Sequence, residues 1–474
     1  MAYLAIDLGA GSGRVIVGEI KDNKITLDEV HRFSDRQVLL GDTLYWDFPG
    51  IFSEIKTGIN KAVQKGYTLK SIAVDSWGVD FGLLDNKGRL LSNPVCYRDN
   101  RTTGILSEAF KLISKEQMYA VTGNQFMEIN SVFQLFSLVK ENNPQLKIAD
   151  KLLFIPDLVN YFLTGFIGNE YTIASTSQLL NAQTRNWEPE IFKALDIPQN
   201  LMSEIIQPGT VIGQLRPEIA IETGTGNIDV IAVGSHDTAS AIAAIPADGS
   251  NWAFLSSGTW SLLGIESPHA IMTTEALEND FTNEGGVGGK IRFLRNITGL
   301  WILQRYLAEV EKATGTPIEY DVALPQANAT QSIGTIINPD APEFANPQSM
   351  KAAIDDYCRA SNQTIPNNQS EYIRTILESL AAKYADVIKK LNQCSAKSID
   401  CLYVVGGGCK NDLLNQLTAN ATGIPVIAAS PESTSLGNIM MQAIGTGEIA
   451  NLEEGRKLIA KSINTKKYLP LHFH

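Results

Sequence analysis

Hydrophobic positions in this chain gather in short runs that stop at glycine, and each run predicts a buried strand handing over to a turn. The first is Leu4-Ala-Ile-Asp-Leu; Gly9, Gly11 and Gly13 follow with Ser12, and Arg14-Val-Ile-Val-Gly-Glu-Ile returns with strand composition. Trp252-Ala-Phe-Leu, the turn Ser256-Ser257-Gly258-Thr259 and Trp260-Ser-Leu-Leu-Gly-Ile repeat that hairpin. A hairpin opening each half predicts an internal duplication, with halves at 1–245 and 246–474. Leu255 holds roughly the place in the second hairpin that Asp7 holds in the first. Strand, polar turn and strand are expected over 71–85, and a strand over Val230–Val233 leads into a small-residue helix from Thr238. Cys401–Val405 runs into Gly406-Gly407-Gly408, then a helix (412–421), a strand (425–429) and a helix (435–445). Helical spacing marks 51–66 and, more strongly, Ile373 to Leu391, while 292–306 begins as a strand and becomes a helix. Residues 103–225 read as helix-rich without a chemical motif, an insertion walling a substrate cleft. The run 283–289 reads as a flexible glycine loop, and 316–369 as loop-rich.

Candidate chemistry sits where strands end. Asp237, beside His236, lies where a strand hands over to a helix, a position that serves equally as a helix cap or as a place for ligand chemistry. The first glycine turn imitates a dinucleotide fingerprint, but that fingerprint must open a helix and strand residues follow here. A glycine hairpin instead presents unobstructed backbone N–H groups to phosphate oxygens. Asp7 would then hold Mg²⁺, or merely satisfy turn donors. Asp75, Trp77, Gly78 and Asp80 suit a sugar platform, although a structural Trp fits as well. Asp99 and Arg101 line a polar pocket or pair with each other. The three glycines at 406–408 would let a base or ribose approach the backbone. No GxxxxGK[ST] loop occurs.

Composition narrows the classes. At 474 residues the chain exceeds one ordinary domain, and 44 % hydrophobic with 19 % charged residues describes a globular protein. The net charge of −12 argues against nucleic acid and anionic membrane as partners, but not against a nucleotide held by glycine loops and one metal ion. Five cysteines form no CxxC and no zinc spacing with the five histidines, which suggests reduced thiols in a cytosol. No apolar run approaches the roughly 20 residues of a membrane span, and Asp7 interrupts the only N-terminal one. A soluble cytoplasmic protein, monomer or small homo-oligomer, is expected.

The segments IDLGAGSGR (6–14), DSWGVDF (75–81), GSHDTASA (234–241), LSSGTWSL (255–262), NITGLWILQR (296–305) and VVGGGCKN (404–411) together resemble the FGGY carbohydrate kinases, in that family's order. The resemblance implies an α/β fold of two ribonuclease-H-like (actin-like ATPase) domains with a cleft between them. It implies an enzyme using ATP and Mg²⁺ on a small ketose, closest to kinases acting on the 1-hydroxyl of L-rhamnulose, with L-fuculose the alternative. Asp237 matches the catalytic base. Gly78, His236, Asp237, Thr238 and Asn296 match sugar-contacting positions. Ala10, Gly11, Ser12, Gly13, Arg14, Thr259, Gln304 and Gly407 match ATP-contacting ones, and Asp7 the Mg²⁺-linked aspartate. Gly11 stands where the family commonly carries Ser or Thr. A non-catalytic sensor and an actin-like filament ATPase are the readings from other classes; the first would be expected to lack Asp7 or Asp237, and the second leaves WGVDF and SHDT without a ligand.

Overall fold

A computed structural model describes residues 1–34 and 36–471. His472 and His474, counted above and placed in the expected second half, lie outside the described residues. The chain forms two compact units of three segments each: 1–246, 266–293 and 433–462 in the first, and 247–265, 294–432 and 463–474 in the second. The hydrophobic pattern suggests contiguous halves; the packing instead returns two later segments to the first unit, because 433–462 packs on the first strands of the chain and 266–293 bonds Gly123, Asn124 and Ser175.

In the first unit β1 (Ala2–Leu8), β2 (Ser12–Lys21), β3 (Lys24–Ser34), β4 (Leu69–Ser76), β5 (Val211–Gln214) and β6 (Asp229–Ile231) follow the order β5-β6-β4-β1-β2-β3. All seven residues of β1 are buried, which its unbroken apolar run anticipates for a central strand. The helix α1 (Phe48–Gln64) starts three residues before the expected 51, because Asp47 accepts a hydrogen bond from Gly50 N and Pro49 suits the first turn. Its Phe48, Ile51, Ile55 and Ile59 bury one face against the sheet core. The other face of β1 and β4 is met by α6 (Ser433–Gly445), whose Gln442 donates to Leu4 O (3.0 Å) and accepts from Ser71 Oγ (2.7 Å). Gly437 on α6 lies against α2 (Asp237–Ala243) so closely that a Cβ there would stand 1.9 Å from Ser240 O.

The second unit repeats the scheme. Its strands β7 (Trp252–Ser257), β8 (Trp260–Ser267), β9 (Ile291–Thr298), β10 (Cys401–Val405), β11 (Val426–Ala428) and β12 (Lys466–Tyr468) follow the order β9-β8-β7-β10-β11-β12, with Thr282–Gly285 as a seventh strand beyond β9; the ends of β8 and β9 within 266–293 are counted with the first unit. In each sheet an antiparallel hairpin is flanked by two parallel strands and an antiparallel edge. Register makes the one difference plain: Asp7 faces Asp75 across β1 and β4, whereas Leu255 faces Val404 across β7 and β10. The strand–helix stretch expected at 292–306 is β9 followed by α3 (Trp301–Thr314), and the spacing through Leu391 belongs to α4 (Gln369–Ser395). After β10 come α5 (Asp412–Thr422), β11 and α6 in the expected order, and α7 (Leu452–Ser462) belongs to the first unit.

Two expectations change. Residues 316–369 contain the helices Tyr320–Ala329 and Met350–Ala360, where Met350, Ile354 and Cys358 bury a face that outweighs the Asn and Gln around them. The supposed flexible loop at 283–289 begins as a buried strand, Thr282–Gly285, because Gly285 packs under the Tyr171 ring and its N donates to Ser175 Oγ (2.7 Å). The 103–225 region is helix-rich as expected, and it also holds the strand Ala149–Phe154, which pairs with Phe81–Asp85 over a second apolar cluster that includes Phe133, Phe136 and Phe192.

Candidate active site

Three parallel strands of the first unit, β1, β4 and β6, bring their carboxyl ends to one edge of the sheet, where open α/β sheets hold ligands. An aspartate lies near the end of β1 and of β4, and a third follows β6. Asp7 closes β1 and Asp75 stands opposite it on β4. The chain leaving β6 runs along the end of β4, with Ser76 N bonding Ser235 O (2.8 Å), and turns into α2 at Asp237.

Asp7 Oδ2 is held by Arg14 Nη2 at 2.5 Å and Ser435 Oγ at 3.1 Å. Asp75 Oδ2 accepts from Asn438 Nδ2 (2.6 Å), while its buried Oδ1 has no partner. Burial, then the Asp7 charge, pushes the Asp75 carboxyl well above its ordinary value, and Asp237 adds to this. Asp237 takes bonds on Oδ1 from Thr238 N (2.5 Å) and Thr238 Oγ1 (3.2 Å). Helix capping is therefore not its main business: His236 is the capping residue of α2, and Asp237 bonds only the residue after it. Its side chain keeps 30 % of its surface open, between the buried His236 and Thr238. Burial by the surrounding protein raises the Asp237 carboxyl; the His236 ring opposes this and the Asp7 charge reinforces it. An open carboxylate with a raised pKa is suited to accept a proton.

The turn between β1 and β2 is closed by Gly9 N on Ser12 O (3.1 Å), so it is a hairpin and no dinucleotide fingerprint. Gly11 has no neighbour within 4 Å of where a Cβ would be, and Ala10 and Ser12 are half-buried beside it. A Cβ on Gly13 would meet the Phe33 ring at 2.2 Å. Gly78 precedes Val79, a β-branched residue at φ 69°, a left-handed conformation that costs energy and persists only where the surroundings enforce it. They do: Val79 N donates to Thr176 Oγ1 (3.1 Å) and Val79 O accepts from Ser131 Oγ (2.6 Å).

In the second unit, Thr259 Oγ1 donates to Gln304 Oε1 (3.2 Å) at the tip of the β7–β8 hairpin. Leu300 N on Gly258 O (2.9 Å) seats the start of α3 on that tip. Gly406 at φ 79° and Gly408, whose Cβ would stand 2.0 Å from Ser257 Oγ, lay the glycine run on β7; Gly407 between them is open. Asn296 is half-buried near the end of β9. Thus Asp7, Ala10 to Arg14, Gly78 and His236 to Thr238 belong to the first unit, and Thr259, Asn296, Gln304 and Gly407 to the second.

Trp77 and Asp80 do not form a sugar platform. Trp77 packs on Trp46 at 4.2 Å between ring centroids, and both indole N–H groups donate to Asp80 Oδ2 (3.1 and 2.7 Å). Tyr97 N and Gln134 Nε2 complete four bonds to this buried carboxylate, which burial raises to about 6. Its hydrogen-bonding capacity is spent inside the core. Asp99 and Arg101 line a cavity of about 130 Å³ with Thr43, Tyr45, Glu141 and Gln145; Asp99 Oδ1 accepts from Arg101 N (2.9 Å), while the Arg101 guanidinium donates to Gln134 Oε1 (2.6 Å).

Four contributors were not visible in the pattern. Glu170 and Thr172, in the region without a motif, bond Ser235 N (3.2 Å) and His236 N (3.1 Å). Arg292 and Glu284 reach His236 from β9 and the strand Thr282–Gly285. Only the glycine run at 283–289 marked that neighbourhood, and it pointed to a loop.

Among the described residues no group of three His, Cys, Asp or Glu side chains is arranged to hold a metal ion, and no helix is long and apolar enough to cross a membrane. None of the five cysteines is in a disulfide.

Residues 2–243 match the N-terminal domain of the FGGY family of carbohydrate kinases, and residues 253–446 match its C-terminal domain. The chain is 43 % identical over 468 residues to a rhamnulokinase of Bacteroides thetaiotaomicron, covering 99 % of this chain and 96 % of that one. It is 38 % identical over 470 residues to a rhamnulokinase of Bacillus subtilis, covering 99 % and 96 %. Solved structures share the fold at lower identity. A gluconate kinase from Lactobacillus acidophilus superposes with a TM-score of 0.81 at 19 % identity over 99 % of this chain and 94 % of that one. Plasmodium falciparum glycerol kinase with ADP gives 0.78 at 17 %, with the same two coverages. Sugar kinases of this kind have the actin-like ATPase fold. Sheet order, strand-end aspartates and full-length similarity lead to one assignment: the chain belongs to the FGGY family of carbohydrate kinases, enzymes that move a phosphoryl group from ATP to a sugar.

Proposed function

We propose that this enzyme transfers the γ-phosphoryl group of ATP to the 1-hydroxyl of L-rhamnulose, giving L-rhamnulose 1-phosphate and ADP. The observation that carries the reaction is the half-open Asp237 carboxylate, raised by burial, at the strand edge it shares with Asp7. The sugar follows from the relatives named rhamnulokinase at 38–43 % identity along the whole chain.

Phosphoryl transfer asks a protein mainly for positioning and charge neutralisation. Asp237 takes the proton of the attacking hydroxyl, so the oxygen that bonds to phosphorus leaves its hydrogen on the carboxylate and ADP departs with the electrons of the broken P–O bond. His236, Thr238, Gly78 and Asn296 hold the sugar. Backbone N–H groups of Ala10 to Gly13 face phosphate oxygens in the open turn, with Arg14 beside them. Thr259, Gln304 and Gly407 hold the nucleotide, Gly407 offering a backbone without obstruction.

A hard divalent cation fits the donors present, because the orphaned Asp75 Oδ1 lies on the strand position facing Asp7 and both groups are carboxylates. Mg²⁺ would be held by Asp7, with Asp75 at its side, and would neutralise charge on the phosphates. Two protein carboxylates suffice for an ion that keeps waters and phosphate oxygens as its other ligands.

The test is ADP release with MgATP and L-rhamnulose, L-fuculose, L-xylulose or glycerol as acceptor. A kcat/KM for L-rhamnulose at least about tenfold above the others is expected; a site bonding the distinguishing hydroxyl can separate the sugars by far more. A preference for L-fuculose would overturn the sugar, and absence of turnover with all four would overturn the kinase reading.

A further inference from the structure

We propose that Arg292, held by Glu284, is a positioning residue that locks His236 with its proton on Nε2, so that the ring presents a hydrogen-bond donor beside the Asp237 carboxylate. The argument begins with which atom can donate. Arg292 Nη2 lies 2.9 Å from His236 Nδ1. A guanidinium nitrogen carries hydrogens and has no lone pair to offer, so the hydrogen in this contact comes from arginine and Nδ1 receives it. A neutral imidazole that accepts at Nδ1 carries its hydrogen at Nε2. That nitrogen stands 3.5 Å from Asp237 Oδ1.

The clamp is built so that the arginine cannot turn away. Arg292 Nε donates to Gly285 O (2.8 Å), which fixes the plane of the fork, and Nη2 also faces Glu284 Oε2 at 3.1 Å. Glu284 Oε2 is 3.4 Å from His236 Nδ1, farther than the arginine. Both members are buried, with 1 % and 8 % of their side chains exposed. Burial alone would raise Glu284, but opposing pulls, the Arg292 charge foremost, outweigh it and hold the carboxyl below its ordinary value. A buried ion pair is a poor way to stabilise a fold, since desolvation offsets most of the attraction. What this pair does deliver is a single orientation and a single tautomer for the ring next to the reacting centre, the kind of outer support that fixes a functional histidine.

The consequence for the substrate rests on the reading of Asp237 as the base; the place of the ring proton does not. Asp237 requires a donor from the sugar, and Nε2–H requires an acceptor. The pair therefore selects a hydroxyl whose neighbouring oxygen turns a lone pair toward His236, as the C2 oxygen of a ketose does beside its 1-hydroxyl.

The full-length chain, labelled with ¹⁵N in histidine, gives the ring tautomer directly by long-range ¹H–¹⁵N correlation, with the His236 signal assigned by its loss in His236→Asn. The Nε2–H pattern is expected in the unaltered protein, and an Nδ1–H pattern would overturn the proposal without any variant needing to fold. In the double variant Arg292→Met with Glu284→Leu, which leaves no unpaired charge, the ring is expected to lose its single tautomer. There kcat/KM for the ketose should fall about tenfold or more, the scale of one hydrogen bond, with KM for ATP unchanged. A folded double variant with the same tautomer and the same kcat/KM would overturn it. Full activity in Asp237→Asn would instead remove the base reading and leave the tautomer result standing.

Discussion

At the scale of single residues, the aspartates separate by environment more than by kind. Asp80 is closed off by four donors, Asp75 is buried with one oxygen unpaired, and Asp237 is the one with an open face. Asp237→Asn keeps the shape and removes the proton acceptor, so kcat is expected to fall by about 10²–10⁴ while the melting temperature stays put; steady-state kinetics beside a thermal melt checks both. Chelation of Mg²⁺ with EDTA is expected to abolish turnover and leave the circular dichroism spectrum unchanged, with activity restored by added Mg²⁺. Asp7 and Asp237 were legible because each ends a local apolar run at a glycine or a helix start. Asp75 was only one of four crowded residues, since what sets it apart is its parallel pairing with a strand some seventy positions earlier. Trp77 and Asp80 misled for the same reason. Their partners, Trp46, Tyr97 and Gln134, come from separate stretches, and no local pattern shows an indole N–H turned inward.

At the scale of elements, the helix α2 that carries Asp237 depends on two neighbours. Gly437→Ala would drive a Cβ into Ser240 O, a backbone atom that cannot swing aside. A loss of about 1–3 kcal/mol in denaturant unfolding is expected, together with a lower kcat because α2 carries Asp237. On its other side Glu170 holds Ser235 N and caps the turn Tyr171–Ala174 through Ile173 N (3.0 Å). Burial raises this carboxyl from 4.5 to about 7, against the pull of its hydrogen bonds. Between those values the unfolded chain has already lost the proton that the folded chain keeps, so this group's contribution to stability declines as pH climbs through that window. The melting temperature of the native protein minus that of Glu170→Gln should therefore drop from pH 4.5 to 7 and then level off; a flat difference would refute it. Hairpins, glycine turns and the long α4 were readable from spacing alone. The strand at 282–285 was not, because its one glycine, Gly285, answers to the Tyr171 ring overhead while the glycines after it resemble a loop in every local respect.

At the scale of the whole molecule, the two sheets share one order over six strands, yet only the first puts carboxylates where its parallel strands end. The repeated hairpin made that duplication legible. The return of 266–293 and 433–462 to the first unit was not, since nothing in their own residues names the surface they cover. One of these segments, α6, gives the molecule a timetable. A ribosome finishes β1 and β4 early, but the helix that accepts from Ser71, donates to Leu4 and holds Asp75 is made only after residue 432. Until then one face of the first sheet stands uncovered, and the oldest part of the nascent chain is the last to become whole. A chain stopped at Glu432 should accordingly leave the β1–β4 region open to protease although every strand of that sheet is present.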